Sequence, residues 1–313
     1  MSTVTERLGL QIQGEEEAYD IGIPNENFKK IDRVMGEIPR RNLLVNGDFQ
    51  VWQRGTVFNN PPVWQYFADR WRVYHNGDVD LTVSQIDQNV GGMSIKWADG
   101  QNAGINIQYL ALVDEKVKLL GRNLTLTVKI DGLLIERPIT MVRGGAYIHI
   151  GMSAANAYSC QVENPLLEEE SPFVIIFELE PKVAGGTRKI EFIKLEYGNY
   201  YSGFEPRPYY EELRDCSLYF QHHEIEWRQE YTTQNLYWTR PFIIPLLRNT
   251  ATVTIKSFVD DSGTSLMPYV LGNVIQTSTS TATLRLWMHA RSDAFLTQGK
   301  SYEIKLDIDA SLC

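Results

Sequence analysis

The chain has 313 residues, a formal net charge of −9 and 43% hydrophobic residues. Its length predicts two domains with room for a small appendage, and its acidity argues against general nucleic-acid binding, which needs a basic footprint. Cys160, Cys216 and Cys313 are too few and too widely spaced for a disulfide framework and read as free thiols of a reducing compartment.

The first twenty residues carry no basic stretch followed by an apolar run, so no secretory signal is expected. No apolar run reaches the roughly 20 residues that a membrane span needs, so membrane insertion is not expected either. Within residues 1–40, Phe28, Ile31 and Met35 form one narrow helical stripe, with Asn25 or Asn27 as cap and Gly36 with Pro39 as stop. A helix this short needs a partner surface: its own body, a sister subunit or a larger assembly. A frayed terminus with one helical turn fits the same residues.

From Asn42 the hydrophobic period becomes two. Leu81 and Val83, then Met93, Ile95 and Trp97, then Ile105, Ile107 and Tyr109 alternate with polar residues. Leu124, Leu126, Val128 and Ile130 face one way in the clearest strand, with Thr125, Thr127 and Lys129 facing the other. Further strands are expected near 146–150, 173–179 and 189–197, separated by turns such as Gly144-Gly145. Pro206 and Pro208 then make a stiff connector. Leu213, Cys216 and Phe220 predict a helix over 209–221, with Glu211 and Glu212 at its anion-favouring start. Strands resume at 236–244, 251–258, 283–289 and 301–308, and the polar tract at Thr277 reads as a loop or an exposed strand. The pattern is all-β: an antiparallel sandwich plus a smaller C-terminal β-region, with a short N-terminal helical segment and a linker helix.

No phosphate loop, nucleophile elbow or zinc-protease motif is present, no cofactor is implied, and no carboxylate pair stands out for glycoside hydrolysis. His222, Glu224 and Glu226 would share one strand face but read as solvated polar residues, as does the acidic run Glu168 to Glu170. Aromatic residues are the stronger signal, because exposed rings stack on sugar faces. Trp52, Trp71 and Trp97 read as core. Trp64, with Tyr66, lies in a loop behind Pro61 and Pro62 and is the surface candidate. Trp238 and Arg240, just before Pro241, suit a ligand surface and a core equally.

Asn42-Leu43-Leu44-Val45-Asn46-Gly47-Asp48-Phe49 resembles the opening strand of carbohydrate-binding-module-like jelly rolls. Val51 to Gly55 and Ala68-Asp69-Arg70-Trp71 resemble the variant found in tailed-phage tail-fibre and receptor-binding proteins. Lys194 to Gly198, Phe204 to Pro208, Glu211 to Leu213, Cys216 and Tyr219 are similar to the end of that domain and its exit helix, and the segment from Tyr19 to Asp32 looks like a tail-fibre start. Gln50 stands where sugar-binding relatives carry an acidic residue near a structural Ca²⁺, so no metal is carried over. The resemblance implies a tail-attachment segment over 1–40, a jelly roll over 41–206, and a linker helix with a receptor-binding tip over 207–313. It also implies a homotrimer in the virion, assembled in the host cytoplasm, joined to other tail or baseplate proteins by its N-terminal segment. Its partner would be host cell-surface polysaccharide, bound multivalently and without catalysis. A structural baseplate or tail subunit without a ligand, and a polysaccharide-degrading tail enzyme, are the alternatives. The stretch from Arg188 to Phe220 reads as a rigid hinge that points the tip away from the jelly roll.

Overall fold

The computed structural model describes residues 3–5, 10–15, 17–37, 39–76, 79–98, 104–111, 119, 122–140, 147–152, 158–163, 173–179, 185–230, 235–241, 252–267, 270–278, 283–290 and 296–309. For 32–37, 110–111, 139–140, 147–152, 158–163, 173–179, 235–241, 252, 270–278 and 283–290 it describes the backbone alone. Gly144, Gly145, Glu168 to Glu170 and Cys313 lie outside the described residues. The described fold is all-β and sandwich-type, as the period of two requires, and none of its helices is long and apolar enough to cross a membrane.

At the N-terminus, β1 (Thr3–Val4) and β2 (Gln11–Ile12) pair antiparallel beside helix α1 (Gly22–Glu37). The helix starts earlier than the asparagines suggest, because Asp20 accepts the Gly22 N–H at 2.8 Å and supplies the cap. Asn27 instead exchanges two hydrogen bonds with the Gln11 backbone, 2.8 and 2.7 Å, and ties α1 to β2. The expected apolar stripe is not buried along its length: Phe28 is exposed and Ile31 half-buried, while the Met35 side chain is outside the described ones.

Two sheets form the sandwich. One has the order β3 (Val57–Asn59), β5 (Leu81–Asp87), β6 (Gly91–Trp97), β13 (Gly186–Tyr197), β8 (Asn123–Ile130) and β9 (Leu133–Thr140), antiparallel throughout. The other has the order β11 (Tyr158–Glu163), β10 (Tyr147–Met152), β12 (Phe173–Leu179), β7 (Ile105–Ala111) and β4 (Trp71–His75), with β10 and β12 parallel. Inner residues of β5, β6, β8 and β13 meet those of β4 and β7 in one buried cluster centred on Trp71, Tyr109, Met93 and Ile95. Burying such side chains, at about 25 cal/mol per Å² of apolar surface, is what drives the sheets together. Ile190 and Ile193 both reach that core although three apart, because the ladder slips by one residue between Ile190 and Phe192.

The expected opening strand at 42–49 is an irregular run of turns. Asn46 and Phe49 take φ of 57° and 56°, which no strand tolerates. The segment still docks on β13: the Leu43 N–H donates to the Leu195 carbonyl at 2.8 Å, and the Ile193 N–H to the Gly47 carbonyl at 2.7 Å. A Cβ on Gly47 would sit 2.4 Å from the Ile193 carbonyl oxygen, so this approach needs glycine.

The outer face of β8 and β13 is buried too, which alternation alone does not reveal. Thr125 and Thr127 are covered, opposite Glu196 and Lys194. Residues 198–206 strap across them, with the Phe204 ring stacked 4.0 Å from Phe192. Lys194 donates to the Gly203 carbonyl at 2.6 Å and lies 3.1 Å from Glu196, whose carboxylate also takes the Ser202 N–H at 3.0 Å.

Helix α2 (Tyr209–Cys216) is shorter than the spacing of Leu213, Cys216 and Phe220 implies. Both the Ser217 N–H and its hydroxyl donate to the Leu213 carbonyl, at 2.8 and 2.7 Å, and close it. Phe220 then opens β14 (Phe220–Arg228). The C-terminal strands make two antiparallel three-stranded sheets. One is β14, β19 (Ser301–Asp309) and β16 (Thr252–Asp260). The other is β15 (Asn235–Pro241), β18 (Thr283–Ala290) and β17 (Val270–Ser278). β17 is an element that alternation did not announce. It takes in Thr277 and Ser278 of the polar tract, of which 279–282 lie outside the described residues.

Candidate functional site

The motifs at 42–71 and 204–220 meet in one buried polar joint. Fully buried Asn46 is its centre. The Asn46 side chain accepts the Val51 N–H and donates to the Val51 and Asp69 carbonyls, each at 2.9 Å. The Asn46 N–H donates to Glu212 Oε2 at 2.7 Å, and Glu212 Oε1 accepts from Arg207 at 3.0 Å. Arg207 also reaches Asp215 at 2.7 Å. Glu212, at the helix start where the sequence places it, is thus a buried link in this network.

Arg54 spans the joint. It donates to Asp69 at 2.7 Å and to Asp309 of β19 at 3.1 Å, and lies 3.7 Å over the Phe220 ring. Gln53 donates to Asp69 at 2.7 Å and to the Phe220 carbonyl at 3.2 Å. Arg70 lies 3.6 Å from the Tyr219 ring and 4.8 Å from Tyr109. The stretch read as a hinge is therefore bonded into the sandwich at several points. Cys216 is a free buried thiol there, its pKa pushed up by burial.

Burial pushes the Asp69 carboxyl up to about 6, outweighing Arg54 and Gln53, which pull it down. The folded carboxyl takes up its proton near 6 and the unfolded one near 3.8, so ionised Asp69 opposes folding above that window and not below it. The cost at neutral pH is about 3 kcal/mol. Burial raises Asp48 and Glu212 in the same direction. The denaturant midpoint is therefore expected to be higher at about pH 5 than at about pH 7.5, and Asp69→Asn should flatten most of the difference. An equal rise in the variant would remove Asp69 as its source.

Beside the joint opens a cleft of about 420 Å³, lined by Gln50, Trp52, Thr56, Gln85, Gln88, Asn89 and Tyr209. The Gln50 amide donates to the Asp48 carboxylate and, at 3.3 Å, to the Arg207 carbonyl; Gln85 donates to the Gln50 carbonyl at 3.0 Å. Trp52 spends its N–H on the Phe49 carbonyl, leaving ring surface alone for the cleft. Tyr209, at the start of α2, is 43% exposed. Sequence reading missed this set, whose members are neutral side chains scattered from 50 to 209.

Trp64 stands where the sequence placed it, on the surface. It is 44% exposed, lies 4.6 Å from the Tyr74 ring and has the Arg72 guanidinium 4.4 Å from its own ring. Its φ of 69° is an outlier for a bulky residue, held by its N–H donating to the Val73 carbonyl at 2.8 Å. Tyr66 corrects the expectation. It is buried, bridged to Arg72 in an isolated pair, with Arg54 5.1 Å from its ring, so it offers no surface for stacking. Trp238 and Arg240 pair with Leu286 and Leu284 in β15, and their side chains are outside the described ones.

His222, Glu224 and Glu226 do share an exposed face of β14. His222 contacts Asp307 at 2.7 Å, and Glu224 accepts from Lys305 at 2.8 Å. A larger cleft of about 560 Å³ adjoins them, between Glu226, Arg228, Asp261 and Glu303. The rings in its wall, Trp227 and Tyr302, stack on each other, with Trp227 also stacked on Phe258 and Tyr302 tilted against it, and serve that sheet's packing. Compared with known proteins, the chain matches no family model and no curated protein.

Proposed function

We propose that the chain is a non-catalytic attachment protein of the phage tail-fibre type, binding glycans of a host cell surface. The observation that carries this reading is the Trp64 platform: an exposed indole in a strained backbone conformation, beside Tyr74 and Arg72. Backbone strain of this kind persists where the surroundings over-determine it, as at ligand clamps. An indole face takes the C–H face of a sugar, and a neighbouring guanidinium donates to its hydroxyls. The motif resemblance supports the rest: a homotrimer in a virion, assembled in the host cytoplasm and joined to the tail by its N-terminal segment. Weak sites repeated over a trimer and over several fibres would then act by effective concentration.

The test is binding of the purified chain to bacterial walls before and after chemical stripping of wall glycans. Binding should fall on stripping, and Trp64→Gly should weaken it about tenfold. Glycine accepts the positive φ, so this variant should change stability by less than about 1 kcal/mol. Binding indifferent to stripping would sink the proposal, and release of new reducing ends would favour the enzyme alternative.

A further inference from the structure

We propose that the cleft formed by Gln50, Gln85, Gln88, Asn89, Trp52 and Tyr209 is a second saccharide site, selective for uncharged, hydroxyl-rich rings. It is separate from the Trp64 platform, for neither Trp64 nor its neighbours Arg72 and Tyr74 line it. Its volume, about 420 Å³, falls in the range of sites for small ligands.

The hydrogen-bond network fixes the polarity of its floor. The Gln50 NH₂ must face the Arg207 carbonyl, which can only accept, and the Gln85 NH₂ must face the Gln50 carbonyl for the same reason. The Gln50 amide is thereby held with both donors turned into the protein, and the Gln85 amide with one of its two. The two amide oxygens are left without a partner among the described residues and are the acceptors a ligand meets. The Trp52 ring adds an apolar wall, 8% exposed, and Tyr209 a half-exposed ring with a hydroxyl. Gln88 and Asn89, both exposed, supply adaptable donors and acceptors at the rim. Fixed acceptors beside a ring match the hydroxyl donors and C–H face of a sugar.

Charge settles the class of sugar. No lysine, arginine or histidine is among the described lining residues, and buried Asp48 sits directly behind Gln50. A uronic acid or a phosphate-bearing unit would bring an anion to a floor with two fixed acceptor oxygens, with no cation among the described lining residues to pair it. An ammonium sugar would find no exposed carboxylate among the same lining residues.

The test is saturation-transfer NMR on the full chain carrying Trp64→Gly, which removes the indole of the platform. The probes are glucose, galactose, rhamnose and N-acetylglucosamine against glucuronic acid, glycerol phosphate and glucosamine. Transfer is expected from at least one neutral sugar and from none of the charged probes. Gln85→Leu should weaken that transfer about fivefold. The double variant Gln88→Ala with Asn89→Ala, confined to exposed rim residues, should also reduce it. Transfer from a charged probe as strong as from the neutral ones would overturn the proposal, as would silence from all neutral sugars or indifference to both variants. Wall binding that depends on Trp64 while these probes stay silent would leave the attachment reading standing and remove this site alone.

Discussion

Arg54→Ala should destabilise the chain by about 3–5 kcal/mol, as the removal of one partner of a buried ion pair does. Arg54 and Asp69 are 7% and 2% exposed as side chains, and Arg54 is shared with Asp309 on β19. Taking the guanidinium away leaves the Asp69 carboxylate with Gln53 as its one side-chain donor among the described residues, in a site where burial already holds its proton on to about pH 6. It also removes the cation over Phe220, 3.7 Å from the ring, at the first residue of β14. For a chain of this size the loss corresponds to a fall in Tm on the order of 10 °C by calorimetry. The double variant Arg54→Met with Asp69→Leu separates the mechanism from a mere loss of volume. It removes both charges together and should recover at least half of the loss, since a buried pair replaced by apolar residues is often neutral or better. A double variant worse than the sum of its singles would show that the pair itself, and not the orphaned carboxylate, holds the joint.

The same residues show where sequence reading succeeds and where it stops. Strands such as β8 were legible because Leu124, Leu126, Val128 and Ile130 must share the buried face. Trp52, Trp71 and Trp97 were assignable to the core on similar grounds. Trp64 was legible because two prolines expel its loop from the sheet. Tyr66 was not: two residues away, it should share the face of Trp64, but the left-handed conformation at Trp64 breaks the alternation and turns Tyr66 inward. The opening strand failed for a related reason, since Asn46 and Phe49 leave β space. The polar cleft had no signature at all. Its amides gain meaning from donors fixed by Asp48 and by the carbonyls of Gln50 and Arg207, the last of them 157 residues from Gln50 in sequence.

Asn46→Ala carries the other large expected effect. Two penalties combine at that position. Alanine would have to adopt φ near 57°, a conformation that asparagine tolerates and that costs alanine about 1–2 kcal/mol. The Val51 N–H and the Asp69 carbonyl would also lose the side chain that satisfies them inside the protein, while the Val51 carbonyl would keep the Asp69 N–H at 3.0 Å. Each orphaned buried group costs about 1–3 kcal/mol. Together these remove about 3–8 kcal/mol from the stability of an ordinary domain, about 5–15 kcal/mol, so Asn46→Ala should fold only marginally. Asn46→Gly leaves the same groups orphaned but removes the conformational penalty. It should therefore be the more stable of the two by about 1 kcal/mol and keep the higher denaturant midpoint, although it has the smaller side chain. Equal midpoints would mean that the backbone at 46 relaxes and that the hydrogen bonds alone carry the effect. A fall of under about 1 kcal/mol in both would show that the joint does not depend on Asn46. The consequence reaches the cleft as well. The Asn46 N–H positions Glu212, Glu212 positions Arg207, and the Arg207 carbonyl orients Gln50. Loss of order at Asn46 should therefore abolish neutral-sugar binding in whatever fraction of the variant still folds.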